Sequence, residues 1–265
     1  MAFRTCEFLP GVHHIEDALG VCMTLLVGRE RALLVDTGYG LEDVAAFARS
    51  ITPLPVTVML THGHHDHALG ARWFRRVELL PEDTAVYALY TDVPQRRRVL
   101  ESARSRGIPV DEKGYLAASM AEAEPLGTGE MDLGGLTARV IPCPGHTPGS
   151  AVVYVPEQHL LLTGDDWNPC TWLFFPEALP VRDYLKNVRG LTQLPFEWVL
   201  CSHRFELFPR KMMTDFLDGL TEQVLRSARP VDTGADKGIP TAEAALPSGQ
   251  VLVFDRDKLE RGEKT

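Results

Sequence analysis

Residues 62–67, with the sequence His-Gly-His-His-Asp-His, concentrate imidazole and carboxylate groups that can bind a metal ion. These are the usual ligands of a hydrolytic zinc ion, and nothing structural requires so many of them in one turn. Side chains two apart on a strand share a face whereas consecutive ones do not, so the run must form a turn. It therefore predicts a metal-dependent site rather than a histidine-rich surface loop.

The elements that must position this run are strands. The apolar segment 56–60 directly precedes it and predicts a buried strand. Four further groups that could ligate a metal also follow predicted strands, namely Asp36, His146, Asp165 and His203. We therefore expect several strand ends to meet at one site.

Length and composition favour one globular α/β domain that comprises residues 1–265. The chain has 265 residues, of which 45% are hydrophobic, so it can bury a large core. Its net charge of −9 argues against nucleic acid as a partner, because nucleic-acid binders usually carry a concentrated basic surface.

The sequence also favours a cytoplasmic protein without a membrane partner. Residues 1–7 contain no apolar signal core, and no stretch approaches the roughly twenty apolar residues of a membrane span. The five cysteines include no Cys-x-x-Cys pair, which fits a reducing compartment. We predict that most of them are small buried residues.

Periodicity predicts the remaining elements. Strands are expected at residues 8–16, 21–27, 32–36, 56–60, 77–80, 85–90, 130–133, 136–141, 151–155, 160–163, 198–201 and 250–254. Helices are expected at residues 41–51, 68–76, 93–106, 182–194 and 209–228. Residues 108–129 and 230–247 are expected to be irregular, as is the aromatic segment 167–176, which could pack in the core or line a substrate pocket.

The helix predicted at 93–106 is basic, with arginines at positions 96, 97, 98, 104 and 106. A solvated helix face is the favoured interpretation, and a clamp for an acidic substrate is the alternative.

Five motifs occur in the order Asp36-Thr37-Gly38, residues 62–67, Gly145-His146-Thr147-Pro148-Gly149, Thr163-Gly164-Asp165 and Ser202-His203. Together they resemble the metallo-β-lactamase superfamily over about residues 8–203. The resemblance implies a four-layer αββα sandwich, in which two mixed sheets pack face to face between helices. It places the metals in a groove at one edge of the sandwich.

The resemblance also implies a dinuclear centre. His62, His64 and His146 would bind the first ion, Asp66, His67 and His203 the second, and Asp165 would bridge both. Asp36 would orient the cluster by hydrogen bonding. Donors without thiolates suit two zinc ions, with iron or manganese as alternatives.

Cys143 and Cys201 are expected to pack beside this centre, and His65, at the variable position of the motif, to point away from it. His13, His14 and His159 lie outside every motif and are expected to be structural or surface residues.

The mechanism implied is hydrolysis by a hydroxide that bridges the two ions, with Asp66 and Asp165 as candidate catalytic proton acceptors. A small-molecule substrate is expected, and the chain is most similar to the glyoxalase II-like group, which implies a thioester or related acyl ester. In place of the larger C-terminal helical domain of glyoxalase II, this chain has a helix and a short strand.

Other substrates and one other class remain open. A phosphodiesterase or phosphorylcholine-type esterase is the second choice, because an aromatic pocket could bind a quaternary ammonium group. A lactonase lacks support, since the tyrosine expected soon after Asp165 is absent. The candidate pocket residues are Trp167, Asn168, Trp172 and Phe174. A metal-binding regulatory protein without turnover is the alternative from another class.

Overall fold

The computed structural model describes residues 3–235 and 238–259. Its strands, in chain order, are β1 Arg4–Leu9, β2 Val12–Glu16, β3 Cys22–Val27, β4 Ala32–Val35, β5 Val56–Met59, β6 Arg76–Leu79, β7 Glu122–Pro125, β8 Gly129–Asp132, β9 Thr137–Pro142, β10 Ala151–Val155, β11 Leu160–Leu162, β12 Cys170–Leu173, β13 Trp198–Leu200, β14 Phe208–Pro209, β15 Arg229–Pro230, β16 Thr241–Ala245 and β17 Val251–Asp255. Its α-helices are α1 Val44–Ile51, α2 His65–Ala68, α3 Thr84–Tyr90, α4 Val93–Ser105, α5 Glu112–Ala117, α6 Val181–Leu191, α7 Arg210–Gly219 and α8 Glu222–Arg226.

The strands form three sheets. The first has the order β1-β2-β3-β4-β5-β6-β7, antiparallel as far as β4 and parallel beyond it. The second has the order β14-β13-β11-β10-β9-β8 and contains one parallel pair, β11 with β13. The third has the order β12-β17-β16-β15. The first two are the mixed sheets that the resemblance implies.

Apolar packing joins these sheets and helices in layers. Leu26, Leu33 and Val35 of the first sheet belong to the same buried cluster as Val153 and Leu162 of the second. On the outer face of the first sheet, α1 packs through the cluster that contains Val44 and Ala48. On the outer face of the second, α6 and α7 pack in a cluster that also includes Leu252 and Phe254 of β17. The expected arrangement of helix, sheet, sheet and helix is confirmed.

Several of the predicted elements differ from the structure in type or extent. Residues 85–90 form the helix α3 instead of a strand, with Val86, Tyr87 and Tyr90 buried on one face. The β-favouring residue types were misleading there, because strand propensity depends strongly on context. Residues 209–228 form two helices, since α7 ends at Gly219 and the side chain of Thr221 caps α8 by accepting a hydrogen bond from Val224 N.

The helix predicted at 68–76 begins earlier, as α2, and continues as a 3₁₀ turn over Leu69–Trp73. The segments predicted to be irregular contain α5, β7, β12 and β16. In particular, β12 and β16 both pair with β17, which creates the third sheet. Sequence periodicity missed them because short strands with few apolar residues give a weak alternation signal.

Across the ranges 3–235 and 238–259, no helix is both long enough and apolar enough to cross a membrane.

Candidate metal centre

The first group of possible metal ligands consists of His62, His64 and His146, all of which are buried. His62 and His64 follow β5 in the first sheet, whereas His146 lies in the loop between β9 and β10 of the second. The Nδ1 atom of His64 lies 2.9 Å from Nε2 of His146. The docking of two sheets therefore brings these three side chains together.

The second group consists of Asp66, His67, Asp165 and His203, whose ligating atoms all lie within 4.8 Å of one another. Asp66 and His67 belong to α2, and Asp165 and His203 follow the parallel strands β11 and β13. Because parallel neighbours end at the same edge of a sheet, Asp165 and His203 are adjacent despite their sequence separation. Their Oδ2 and Nε2 atoms lie 3.0 Å apart.

Asp165 belongs to the second group but also lies close to the first. Its Oδ1 is 3.4 Å from Nε2 of His67 in the second group. Its Oδ2 is 3.6 Å from Nε2 of His146 in the first group. A carboxylate in this position can contact an ion in either group.

The hydrogen bonds behind the imidazoles determine which nitrogen of each ring faces the centre. Nδ1 of His67 donates to Oδ2 of Asp36 over 2.9 Å, and Nδ1 of His146 donates to the carbonyl of Trp172 over 2.7 Å. Nε2 of His64 donates to Oε1 of Glu177 over 2.6 Å. In its neutral form, each of these rings presents an unprotonated nitrogen to the centre.

These orientations leave several nitrogen and oxygen atoms of the centre without a partner, and a cation would provide one. When both rings are neutral, Nδ1 of His64 and Nε2 of His146 lack a hydrogen, so their lone pairs repel one another unless a cation lies within reach of both. Nε2 of His62, Nε2 of His67 and Oδ1 of Asp165 are buried without a hydrogen-bond partner. Such groups are costly to bury, and nitrogen and oxygen donors without thiolates fit divalent ions.

The electrostatics favour anionic carboxylates. Burial alone would raise the pKa of Asp66, but His67, His65 and His203 lower it to about 2. The pKa of Asp165 is likewise held well below its usual value by His203 and His67, against the effect of burial.

The histidines fall into two classes. Burial and neighbouring imidazoles lower the pKa of His62 and His146, the latter to about 4, so these rings are neutral and able to ligate. Burial opposes a charge on His67, but Asp165, Asp36 and Asp66 raise its pKa well above the usual value. Metal binding must therefore displace a proton from His67.

Asp36 has a backbone conformation that residues other than glycine rarely adopt, with φ of 65°. Its carboxylate accepts hydrogen bonds from the backbone and hydroxyl of Thr61 as well as from His67. It thus connects the end of β4 to the turn that follows β5. This arrangement agrees with the orienting role that the resemblance assigns to Asp36.

Two carboxylates beside the centre, the half-buried Glu177 and the buried Asp83, were not found by sequence reasoning. Glu177 follows β12 and accepts from His64, whereas Asp83 accepts from Gly63 N, Gly149 N and the hydroxyl of Thr147. Asp83 therefore ties the turn after β5 to the loop that carries His146. No local sequence signal marks either residue, because each is defined by partners distant in the chain.

A groove of about 770 Å³ opens onto the centre. Of the candidate pocket residues, Asn168 and Trp172 line it, and Trp172 is 37% exposed. Trp167 and Phe174 are fully buried and do not line it, so the expectation for these two needs correction. Trp167 packs against Phe208 in the apolar cluster beneath the second sheet. Phe174 lies behind the groove wall, where its ring contacts those of Trp172 and Phe175.

The remaining candidates lie outside the two groups. Cys143 and Cys201 are buried in the apolar cluster beneath the second sheet, and burial raises the pKa of Cys201 to about 12. His65 lines the groove between the rings of Tyr39 and Tyr90. His159 is on the surface.

A sequence profile described as the metallo-β-lactamase superfamily matches residues 17–203. The chain belongs to that superfamily. The clustered histidines and aspartates of this metallo-β-lactamase superfamily member suit divalent metal ions.

Individual relatives share modest identity with this superfamily member. A hydroxyacylglutathione hydrolase of Bartonella quintana (strain Toulouse) is 30% identical over 152 residues, which cover 56% of this chain and 49% of the relative. An acyl-coenzyme A thioesterase of Gallus gallus, MBLAC2, is 25% identical over 193 residues, or 64% of this chain and 66% of the relative. The chain thus spans about half of the first relative's length.

Among solved structures, a metallo-β-lactamase family protein from Thermus thermophilus superposes with a TM-score of 0.58 at 23% sequence identity. The superposition covers 83% of this chain and 82% of that one. At this identity the likeness supports the fold alone.

Proposed function

We propose that this chain holds two divalent ions at the centre and hydrolyses a thioester of a small molecule. The observation that supports this most directly is the position of Asp165, whose two oxygens face a histidine of each ligand group. His62, His64 and His146 would hold one ion, and Asp66, His67 and His203 the other. Zinc is the metal that we favour, and the cytoplasm is the location that we expect.

Bound ions would supply a Lewis acid for the substrate carbonyl and a nucleophile derived from water near neutral pH. The chain's own groups complete the chemistry. Asp66 and Asp165 are ionised, so either carboxylate could receive a proton that hydrolysis releases, although its lowered pKa makes it a weak base. The hydrogen bonds from His67 to Asp36 and from His64 to Glu177 would keep the ligands in place during turnover.

The choice of a thioester rests on two relatives, one named for hydroxyacylglutathione and one for acyl-coenzyme A. The groove is also suited to such a substrate, because it combines the aromatic rings of Trp172, Phe175 and Tyr90 with polar side chains.

Metal analysis together with a substrate panel tests the proposal. We expect two ions per chain by mass spectrometry of the purified protein, and turnover of acyl thioesters ahead of lactones and phosphodiesters. Turnover of phosphodiesters or phosphorylcholine esters alone would instead favour the esterase, which could bind a quaternary ammonium group at the exposed ring of Trp172. Two bound ions without turnover on any class would favour a regulatory protein.

The variant Asp165→Asn tests whether the carboxylate of Asp165 is needed for metal binding and turnover. The loss of its negative charge should lower metal content and reduce kcat roughly 100-fold or more, the scale found when one group that stabilises developing charge is removed. The exposed Asp183 on α6 provides a control, since Asp183→Asn should retain full metal content and turnover. Normal turnover by a fully loaded Asp165→Asn protein would contradict the scheme.

A further inference from the structure

The arginines of α4 differ in what their side chains contact. Arg96 is buried and donates to the carbonyls of Tyr115, Leu116 and Ala118. Arg104 forms an ion pair with Glu112 on the surface. These two arginines therefore have structural partners within the chain.

Arg98 is different. Its side chain is exposed and lines the groove over the metal centre, together with Gln95 and Ser102 from the same face of α4. Positions 95, 98 and 102 are spaced by three and four residues, so they project from one side of the helix. Within residues 3–235 and 238–259, the guanidinium group of Arg98 has neither a hydrogen bond nor a carboxylate within ion-pair distance.

Two further arginines line the same groove. Arg106, immediately after α4, donates to the carbonyl of Leu19, and Arg204 donates to the carbonyl of His203. A carbonyl is neutral, so these bonds fix the guanidinium groups without cancelling their charge. Three guanidinium groups thus line a groove whose lining carboxylates are Asp66, Asp165 and Glu177.

The carboxylates of the centre and the arginines of the groove need counter-charges of opposite sign. Bound cations would neutralise Asp66 and Asp165, and Glu177 is paired with His64. No acidic group pairs with Arg98 in the described part of the chain. A neutral substrate would leave this arginine without a counter-charge. An anionic group on the substrate would supply one, because guanidinium groups bind phosphates and carboxylates through charge-assisted hydrogen bonds.

We propose that Arg98, supported by Arg106 and Arg204, binds the anionic thiol portion of the thioester substrate and makes the enzyme selective for charged thioesters. This inference rests on the proposed thioester hydrolysis. The group bound by these arginines would be an anion, either the phosphates of coenzyme A or the carboxylates of glutathione. The acyl portion would then lie toward the ions, near Trp172 and Phe175.

The test uses the metal-loaded protein and one acyl group carried on coenzyme A, glutathione or uncharged N-acetylcysteamine. Arg98→Ala should lower kcat/KM for the charged thioesters about fivefold to tenfold, mainly through KM, with a much smaller loss for the uncharged one. A loss confined to the coenzyme A thioester would identify phosphate as the ligand, and a loss confined to the glutathione thioester would identify carboxylate. Added salt should weaken the wild-type preference, since exposed charges are screened.

Arg97 provides the matched control. It is the neighbouring exposed arginine of α4 but does not line the groove, so Arg97→Ala should behave as the wild type within about twofold. Equal losses on charged and uncharged thioesters, or equal losses in Arg97→Ala and Arg98→Ala, would overturn the proposal.

A binding measurement separates this inference from the proposed function. S-alkyl thioethers of coenzyme A and glutathione cannot be hydrolysed, and their affinity is measured by calorimetry whether or not turnover occurs. Weaker binding to Arg98→Ala than to Arg97→Ala would support the anion site even if no thioester is hydrolysed, in which case the proposed function fails alone. Equal binding to both variants would refute the anion site.

Discussion

The ring of His64 lies between Nε2 of His146 on one side and the carboxylate of Glu177 on the other. Burial raises the pKa of Glu177, but the hydrogen bond from His64 outweighs this effect and lowers it. The carboxylate is therefore ionised and makes the opposite ring nitrogen a better electron donor. Glu177 is in this sense a positioning residue for the metal centre.

Replacement of Glu177 by Gln should weaken metal binding about 10-fold to 100-fold, the usual effect of removing a partner of a ligating histidine. The measurement is competition with a chromophoric chelator, so it does not depend on activity. The exposed Glu222 on α8 is the control, because its ion pair with Arg226 lies on the surface and Glu222→Gln should retain wild-type affinity. Unchanged affinity in Glu177→Gln would show that the hydrogen bond is incidental to metal binding.

At the residue scale, the candidate metal ligands were easier to predict from the sequence than the groups that hold them by hydrogen bonds. His62, His64, Asp66 and His67 lie within six residues and are chemically distinctive, so their clustering could be predicted without a structure. Glu177 and the carbonyl of Trp172 could not be found in this way, since each acts through a contact with a residue distant in the chain. The assigned ligand roles stay predictions that metal analysis tests.

At the scale of elements, the short helix α2 is held by the segment that follows β4. The backbone and hydroxyl of Thr37 both donate to the carbonyl of His67, over 2.8 and 2.7 Å. Gly70 makes this approach possible, because a Cβ at that position would lie 1.9 Å from the carbonyl oxygen of Thr37. The packing of Gly70 therefore fixes the distance between Asp36 and His67.

The substitution Gly70→Ala should lower the free energy of unfolding by about 2 kcal/mol or more, because overfilling a packed site forces the backbone apart. It should also weaken metal binding, since α2 carries Asp66 and His67. Denaturant unfolding and chelator competition measure the two effects.

Gly190 offers the matched control within α6, where an added Cβ meets no atom within 4 Å. Gly190→Ala should raise the free energy of unfolding by about 0.5–1 kcal/mol through helix propensity and leave metal affinity unchanged. If Gly70→Ala were as stable as the wild type, the proposed close packing between the two segments would be wrong.

Element types followed from the sequence where apolar periodicity was strong and failed where context decided. The hairpins β8–β9 and β10–β11 and the basic helix α4 were predicted correctly, since each has a clear repeat bounded by turn residues. The helix α3 was predicted as a strand because tyrosine and valine favour strands when considered alone. The third sheet was missed because its strands are short and widely separated in sequence.

At the scale of the whole molecule, His14 links the first sheet to the loop that carries His203. Its Nε2 donates to the carbonyl of Arg204 over 3.2 Å, and its Nδ1 accepts from the hydroxyl of Thr24 over 3.0 Å. Burial lowers the pKa of His14 to about 4, against the opposing effect of the Arg204 carbonyl. The folded protein therefore holds this ring neutral at pH values where the unfolded chain is protonated.

This difference predicts an acid-dependent loss of stability. The unfolded state takes up a proton as the pH falls through 6.5, whereas folded His14 does so only near pH 4. Stability from this group is complete above pH 6.5 and decreases by up to about 3 kcal/mol between pH 6.5 and 4. His14→Gln should remove that component of the slope in urea unfolding measured with a chelator present.

His13 on the same strand is the control, because its side chain is only half-buried. His13→Gln should retain the wild-type dependence on pH. A wild-type slope in His14→Gln would mean that His14 is not the group responsible.

The layered fold was predictable from the sequence because five motifs in a fixed order resemble one superfamily. The assignment of residues 1–265 to a single domain stays a prediction. The groove walls were less predictable than the centre, since they combine α4, the loop after β13 and a strand of the third sheet.

The separation of the ligands along the chain has a kinetic consequence. His64 and His146 are 82 residues apart, and Asp165 and His203 are 38 apart. Closing such long loops costs conformational entropy before the favourable contacts form. The ligands can therefore meet only after both sheets have formed and docked. Metal uptake should therefore be a late event in folding, and the rate at which a refolding chain captures zinc would time the completion of its tertiary structure.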